Sequence, residues 1–328
     1  MRSQHGVKQW ESEELFRGLT GLWSIKQIEV CWNERWNIKL EDSLLINIHG
    51  NGSAMGQELR HNGEYVIVKN HKIHIFRAGN DNGPKLVFLS GSGTVAPVYD
   101  FKILYQKLFN DFEIIVIEKF GYGYSDLYDA PTDIDSLISY HREALSKIGE
   151  EGPFILLPHS LSGLEAIRWK QTYPEEIKAI IGLDMAVPAQ YLSWGQEGLD
   201  KRTNQIIKLQ KLHKKGLLFW YPLNKRGLNK DDIKQQKLLW KRNGMNDCYI
   251  REAGTVLDNA KLVDKSGEID CPILMFVSNG KQVSTNWIQY QNEFAKRNNA
   301  KIIQLNCGHY VHYYESDCIS EEIMRFIE

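Results

Sequence analysis

The chain lacks any excess of charge: across 328 residues, 40 Lys and Arg face 41 Asp and Glu, a net charge of −1. That balance removes the electrostatic case for nucleic acid or an anionic membrane as the main partner. No apolar run approaches the roughly 20 residues that cross a bilayer, so no transmembrane helix is expected. Residues 1–11 are polar and have no apolar signal core. Cysteine is sparse. Cys31, Cys248, Cys271, Cys307 and Cys318 are scattered, odd in number and nowhere at zinc-like or C-x-x-C spacing. Reduced thiols in a cytoplasmic protein, with no metal, are the simplest expectation.

What is present is core-forming sequence, 42% apolar. From residue 64 onward short apolar runs alternate with longer amphipathic ones. Residues 65–69 and 72–77 predict a hairpin turning at Asn70-His71. Strands are expected at 86–89, 113–118, 154–157, 178–183, 272–277 and 301–305. Helices are expected at 98–109, 136–148, after Ser160, 286–297 and 320–327. This order predicts an α/β fold built of βαβ units, with a mostly parallel sheet flanked by helices. Residues 185–268 break the alternation. They are rich in Lys, Gln, Leu and aromatics, with helical periodicity at 204–211 and 231–242, and are expected to form a helical cap over the carboxyl ends of the strands. The core is then 61–184 with 269–328. Residues 1–60 carry no repeat or motif and form an N-terminal extension without an assignable role.

Within Phe154-Ile155-Leu156-Leu157-Pro158-His159-Ser160-Leu161-Ser162-Gly163, a strand-type run stops at a hydroxyl and a helix follows at once. A serine on such a corner is pushed out above the sheet. Compact residues are needed two before and two after it, usually glycine. Here they are Pro158 and Ser162, with Gly163 one further on, a variant of G-x-S-x-G. A plain βα turn with Ser160 near a helix cap is the alternative.

A serine nucleophile needs a base. His309, in Cys307-Gly308-His309, follows the last apolar strand and is the first choice, with His312 as a rival. The third role belongs to an acid that holds the imidazole in one tautomer. Its usual place, after residues 272–277, reads Ser278-Asn279-Gly280 and holds no carboxylate. Asp184, at the end of strand 178–183, keeps the chain order Ser, Asp, His. Asn279 is the alternative, since an amide can also orient a histidine.

An oxyanion would be held by the N–H of Leu161 and by one from Ser90-Gly91-Ser92-Gly93-Thr94, with Ser92 first and Gly91 next. The stretch from Gly91 to Ala96 also fits G-x-G-x-x-A, with Glu118 near the place of a ribose-binding acid, which supports a dinucleotide-binding oxidoreductase as a remote alternative. That reading leaves Ser160 and His309 unexplained. The loop from Phe120 to Asp126 is expected to be structural.

These features together resemble the α/β-hydrolase superfamily. The similarity runs from about residue 64 to the end and includes the Ser90–Gly93 loop, the Glu118–Asp126 loop, the Ser160 corner and Gly308-His309. It implies an eight-stranded sheet with a helical cap, a Ser nucleophile, a His base and no cofactor. Members that open epoxides or remove halides use Asp at the nucleophile position, and Ser160 argues against those reactions. The expectation is a serine hydrolase acting on a small-molecule ester or, second, an amide, with Trp194, Trp220 and Trp240 shaping the pocket. An aminopeptidase using Glu252 and Asp258 to hold a substrate amine, and a silent binding protein of the same fold, are the rivals.

Overall fold

A computed structural model describes residues 59–219 and 221–327. Among the described residues eight strands are present: β1 (Glu64–Val68), β2 (His71–Gly79), β3 (Lys85–Leu89), β4 (Glu113–Glu118), β5 (Phe154–Pro158), β6 (Ile177–Leu183), β7 (Ile273–Val277) and β8 (Lys301–Gln304). They form one sheet in the order β1-β2-β4-β3-β5-β6-β7-β8. Only β2 runs against its neighbours. From β3 the chain moves out to β4 and returns to β5 on the other side. That reversal is a topological switch point, where the carboxyl ends of strands part to leave a crevice. The loops after β3 and β5 flank it.

The helices are α1 (Pro97–Asp100), α2 (Lys102–Tyr105), α3 (Ile134–Lys147), α4 (Ser162–Thr172), α5 (Pro188–Lys214), α6 (Lys230–Asn243), α7 (Asp247–Lys265), α8 (Trp287–Arg297), α9 (Val311–Tyr314) and α10 (Ser316–Ile327). Buried strands alternate their side chains between two faces. Val87 and Leu89 join a core with Leu164, Trp169 and Trp287. Leu86 and Phe88 join the opposite one with Phe101, Leu104 and Ile323. Each such side chain removed from water contributes about 1.5–3 kcal/mol. Among the described residues no helix is long and apolar enough to cross a membrane.

Several boundaries differ from expectation. The hairpin turns at Lys69-Asn70, one residue earlier, because both adopt positive φ, 50° and 64°, which matches the twist of the paired strands. The helix expected over 98–109 is two short pieces. Its apolar spacing is kept, but Leu104, Lys107 and Leu108 donate their N–H groups three residues back, to Phe101, Leu104 and Tyr105, so the backbone winds more tightly. The last helix begins at Ser316, four residues early. Between β6 and β7 lie α5, α6 and α7. The third was not singled out by periodicity; Asn246 caps it by accepting from the Cys248 N–H at 2.8 Å.

The helices between β6 and β7 are tied to the loop after β4 by side chains on backbone carbonyls. Asn246 donates to Gly121, and Arg242 to Ser125. Tyr249 donates to the Thr94 carbonyl in the loop after β3, at 3.3 Å.

Candidate active site

Ser160 stands one residue past His159, which continues the parallel pairing of β5 with β6 opposite Leu183. Ser160 takes φ 54°, and Asp184, just past Leu183, takes φ 47°. Positive φ costs energy for residues with a β-carbon, and such strain gathers where a side chain must be aimed. The corner explains its own departure from two glycines. Ser162 is buried and donates its hydroxyl to the Leu89 and His159 carbonyls, at 2.7 and 2.9 Å. The close approach falls one residue later: a β-carbon on Gly163 would lie 2.2 Å from the Ala186 carbonyl oxygen. The Ser160 carbonyl accepts from the Ala186 N–H at 2.7 Å, locking the corner to the segment after β6.

Three side chains from three strand ends meet here. His309 Nε2 lies 2.8 Å from Ser160 Oγ. His309 Nδ1 lies 2.5 Å from Asp184 Oδ2. The other oxygen, Asp184 Oδ1, accepts from the Ser278 backbone N–H and from the Trp287 indole, each at 2.8 Å. The Asp184 carboxylate is fully buried, whereas the His309 side chain keeps 15% of its surface exposed. Buried carboxylates need such partners. The backbone N–H of His309 donates to Gln282 Oε1 at 2.7 Å, fixing the loop after β8.

The alternatives fall elsewhere. His312 is buried against His159 and Phe101, and burial, with His309 nearby, lowers its pKa to about 3. Neither of its ring nitrogens has a hydrogen-bond partner among the described residues. Asn279 Oδ1 accepts from the Lys281 N–H in its own turn. His159 lies beneath His309, ring centroids 4.8 Å apart, and is held neutral first by burial and then by the neighbouring imidazoles.

The loop after β3 runs beside the hydroxyl. Pairing of Leu89 with Pro158 sets the ends of β3 and β5 level. A β-carbon on Gly91 would lie 2.7 Å from Ser160 Cβ. Ser92 is exposed and Leu161 buried. Gly93 donates its N–H to the Tyr122 hydroxyl at 3.2 Å, and Tyr122 donates in turn to Glu252 Oε2 at 2.5 Å. Nothing in the sequence pointed to Tyr122, Ser278, Trp287 or Gln282, because each acts through a hydrogen bond to a residue distant in the chain.

Glu118 is spent on structure. It accepts from the Tyr124 and Val98 N–H groups and pairs with His74, which leaves no carboxylate for a ribose. Glu252 is buried against the Lys119 ammonium at 2.5 Å. Asp258 is exposed and pairs with Lys261. Trp194 meets Tyr191 edge-on and lies under the Arg202 guanidinium. Trp240 is buried, donates its indole N–H to the Leu218 carbonyl and stacks on Tyr221. Trp220 lies outside the described residues.

No family model matches the chain. An uncharacterised Bacillus subtilis protein, YbdG, is 29% identical over 324 residues, spanning 93% of this chain and 98% of its own. Among solved structures, Cfl2 from Burkholderia cenocepacia superposes with a TM-score of 0.63 at 17% identity, over 81% of this chain and 95% of that one. Epoxide hydrolase VrEH1 from Vigna radiata superposes at 0.64 with 15% identity, over 81% and 97%. The chain has the α/β-hydrolase fold.

Proposed function

We propose that the protein is a serine hydrolase that cleaves a small carboxylic ester through an acyl-enzyme. The reading rests on one observation: Ser160 Oγ, His309 and Asp184 form a continuous hydrogen-bonded chain of 2.8 and 2.5 Å. In this reading His309 Nε2 takes the Ser160 proton as Oγ attacks the carbonyl, then returns it to the leaving alkoxide. Asp184 keeps the proton on Nδ1 and stabilises the imidazolium. The N–H groups of Leu161 and Ser92, with Gly91 beside them, receive the oxyanion. Water then attacks the acyl-enzyme with His309 again as base. The three helices between β6 and β7 serve as the cap.

The epoxide hydrolase likeness bears on fold. The nucleophile decides the chemistry. A serine alkoxide opening an epoxide leaves an ether, which water does not cleave under these conditions. The same alkoxide on an ester carbonyl leaves an ester, which the same base can hydrolyse. The aminopeptidase reading loses its support because Glu252 is buried in an ion pair and Asp258 faces solvent.

A fluorophosphonate probe tests the proposal. The expected result is a stoichiometric adduct on Ser160, absent in Ser160→Ala and lost with His309→Gln, with turnover of p-nitrophenyl esters falling by several orders of magnitude in both variants. An unlabelled wild-type Ser160 would sink the reading in favour of a silent binding protein. Faster turnover of aminoacyl-nitroanilides than of the esters would move it to amides.

A further inference from the structure

The even charge of the whole chain conceals a local imbalance. Residues 201–230 contain seven Lys and two Arg and no Asp or Glu. They cover the end of α5 and the turn leading towards α6. The most exposed large hydrophobic side chain among the described residues lies in this stretch: Phe219 is 84% exposed and Leu217 52%. Lys211, Lys214 and Lys215, just before them in the chain, are exposed. Of these three lysines, Lys214 lies 3.8 Å from Asp247, itself 70% exposed; at the start of the stretch Lys201 pairs with Glu197 at 2.7 Å.

This display is built. Leu218, between the two exposed residues, is buried and its carbonyl accepts from the Trp240 indole at 3.1 Å. The N–H groups of Gly216 and Leu217 close onto the carbonyls of His213 and Leu212 at the end of α5. Tyr221 donates its N–H back to Leu218 and stacks on Trp240, centroids 4.1 Å apart. The backbone is pinned with Leu218 inward and Leu217 and Phe219 outward.

We propose that this turn docks the protein on an anionic lipid bilayer, with Phe219 and Leu217 entering the headgroup layer and Lys211, Lys214 and Lys215 meeting the lipid charges. Exposed apolar tips that follow exposed lysines in the chain are the chemistry of an interfacial anchor: the aromatic leaves water, while each ammonium stays at headgroup level on its long stem. A protein partner fits less well. A stable protein interface covers at least roughly 1,000 Å² of well-matched surface, and two protruding side chains on a narrow turn do not offer that. Docking does not depend on the hydrolase reading, and Ser160 labelling reports that reading separately.

The test is co-sedimentation of the full chain with vesicles of phosphatidylcholine alone and of phosphatidylcholine with phosphatidylserine. The expected result is binding to the mixed vesicles only, abolished by molar salt, which screens surface charge. Phe219→Ser is expected to weaken partitioning about tenfold, and Lys214→Gln with Lys215→Gln by a similar factor. Both variants change exposed side chains, and circular dichroism matching the wild type verifies their folding. Absence of binding, equal binding to both vesicles, or unchanged binding by Phe219→Ser overturns the proposal. So does salt-sensitive retention on heparin without vesicle binding, which would make the lysines a site for soluble polyanions.

Discussion

Two of the carboxylate–histidine pairs among the described residues have opposite fates. Asp184 meets His309 at 2.5 Å beside Ser160. Glu165, in the first turn of α4, meets His141 at 2.8 Å. Glu165 also holds the Lys119 ammonium at 2.9 Å, and Lys119 reaches Glu252 at 2.5 Å. In the second cluster the charges close on one another away from water, and the His141 ring stacks on Trp169. In the first, the far nitrogen of the imidazole reaches a hydroxyl and the ring keeps some exposure. A carboxylate–histidine pair is therefore not by itself a site. Reactivity needs a nucleophile on the free nitrogen and an opening through which substrate can arrive.

The largest effect that separates the two is expected from Asp184→Asn. The Ser278 N–H and the Trp287 indole can keep their acceptor on the amide oxygen. The amide NH2 then faces His309 Nδ1, which must accept rather than donate, so Nε2 carries the proton and cannot take another from Ser160. Ester turnover is expected to fall about 10⁴-fold while thermal stability changes little. A variant that kept its rate would remove Asp184 from the reaction.

Lys119→Met should do the reverse. Removing the cation leaves Glu165 and Glu252 facing one another in a buried space, a loss of about 3–5 kcal/mol in urea unfolding. The fraction that stays folded should still label at Ser160. The pH dependence has a definite sign. Burial alone would raise the Glu165 carboxyl, but Lys119 and His141 outweigh it and hold it down at about 2, from 4.5. A depressed carboxyl contributes stability above its unfolded pKa and loses it as pH falls through the folded value. Wild-type stability should therefore drop between about pH 4.5 and pH 2, and the drop should shrink in Glu165→Gln.

The comparison also marks what could be read before folding. The succession of strands along the chain and the Ser160 corner follow from local pattern, since an apolar run ending at a serine and passing directly into a helix has few conformations open to it. Asp184 came from chain order once residues after β7 offered no carboxylate; its contact with His309 depends on β6 lying next to β5, a pairing the alternation of elements only suggests. The ionic cluster was invisible. Lys119, His141, Glu165 and Glu252 come from a loop and three different helices; the first three each look like an ordinary surface residue, and Glu252 was read as a carboxylate for a substrate amine. Position 162 misled in another way, because the tight contact at the corner sits at Gly163, against Ala186. The whole-chain charge likewise averaged away the basic stretch around Phe219.

Tyr122 is where the two regions join, and it sharpens the contrast most finely. Its hydroxyl accepts from the Gly93 N–H in the loop after β3 and donates to Glu252 of the closed cluster. Tyr122→Phe keeps the ring, which packs against Tyr249 at 4.7 Å, and deletes only the bridge. A buried hydrogen bond lost this way costs about 1 kcal/mol of stability. If the cluster only holds the fold together, the rate should not change. If it also steadies the Ser92 N–H for the oxyanion, kcat should fall about tenfold with KM unchanged, since that contact strengthens only as charge develops on the substrate oxygen. We expect the second result. A kcat equal to wild type, with stability lowered, would mean that Tyr249, through its own bond to the Thr94 carbonyl, holds the loop unaided.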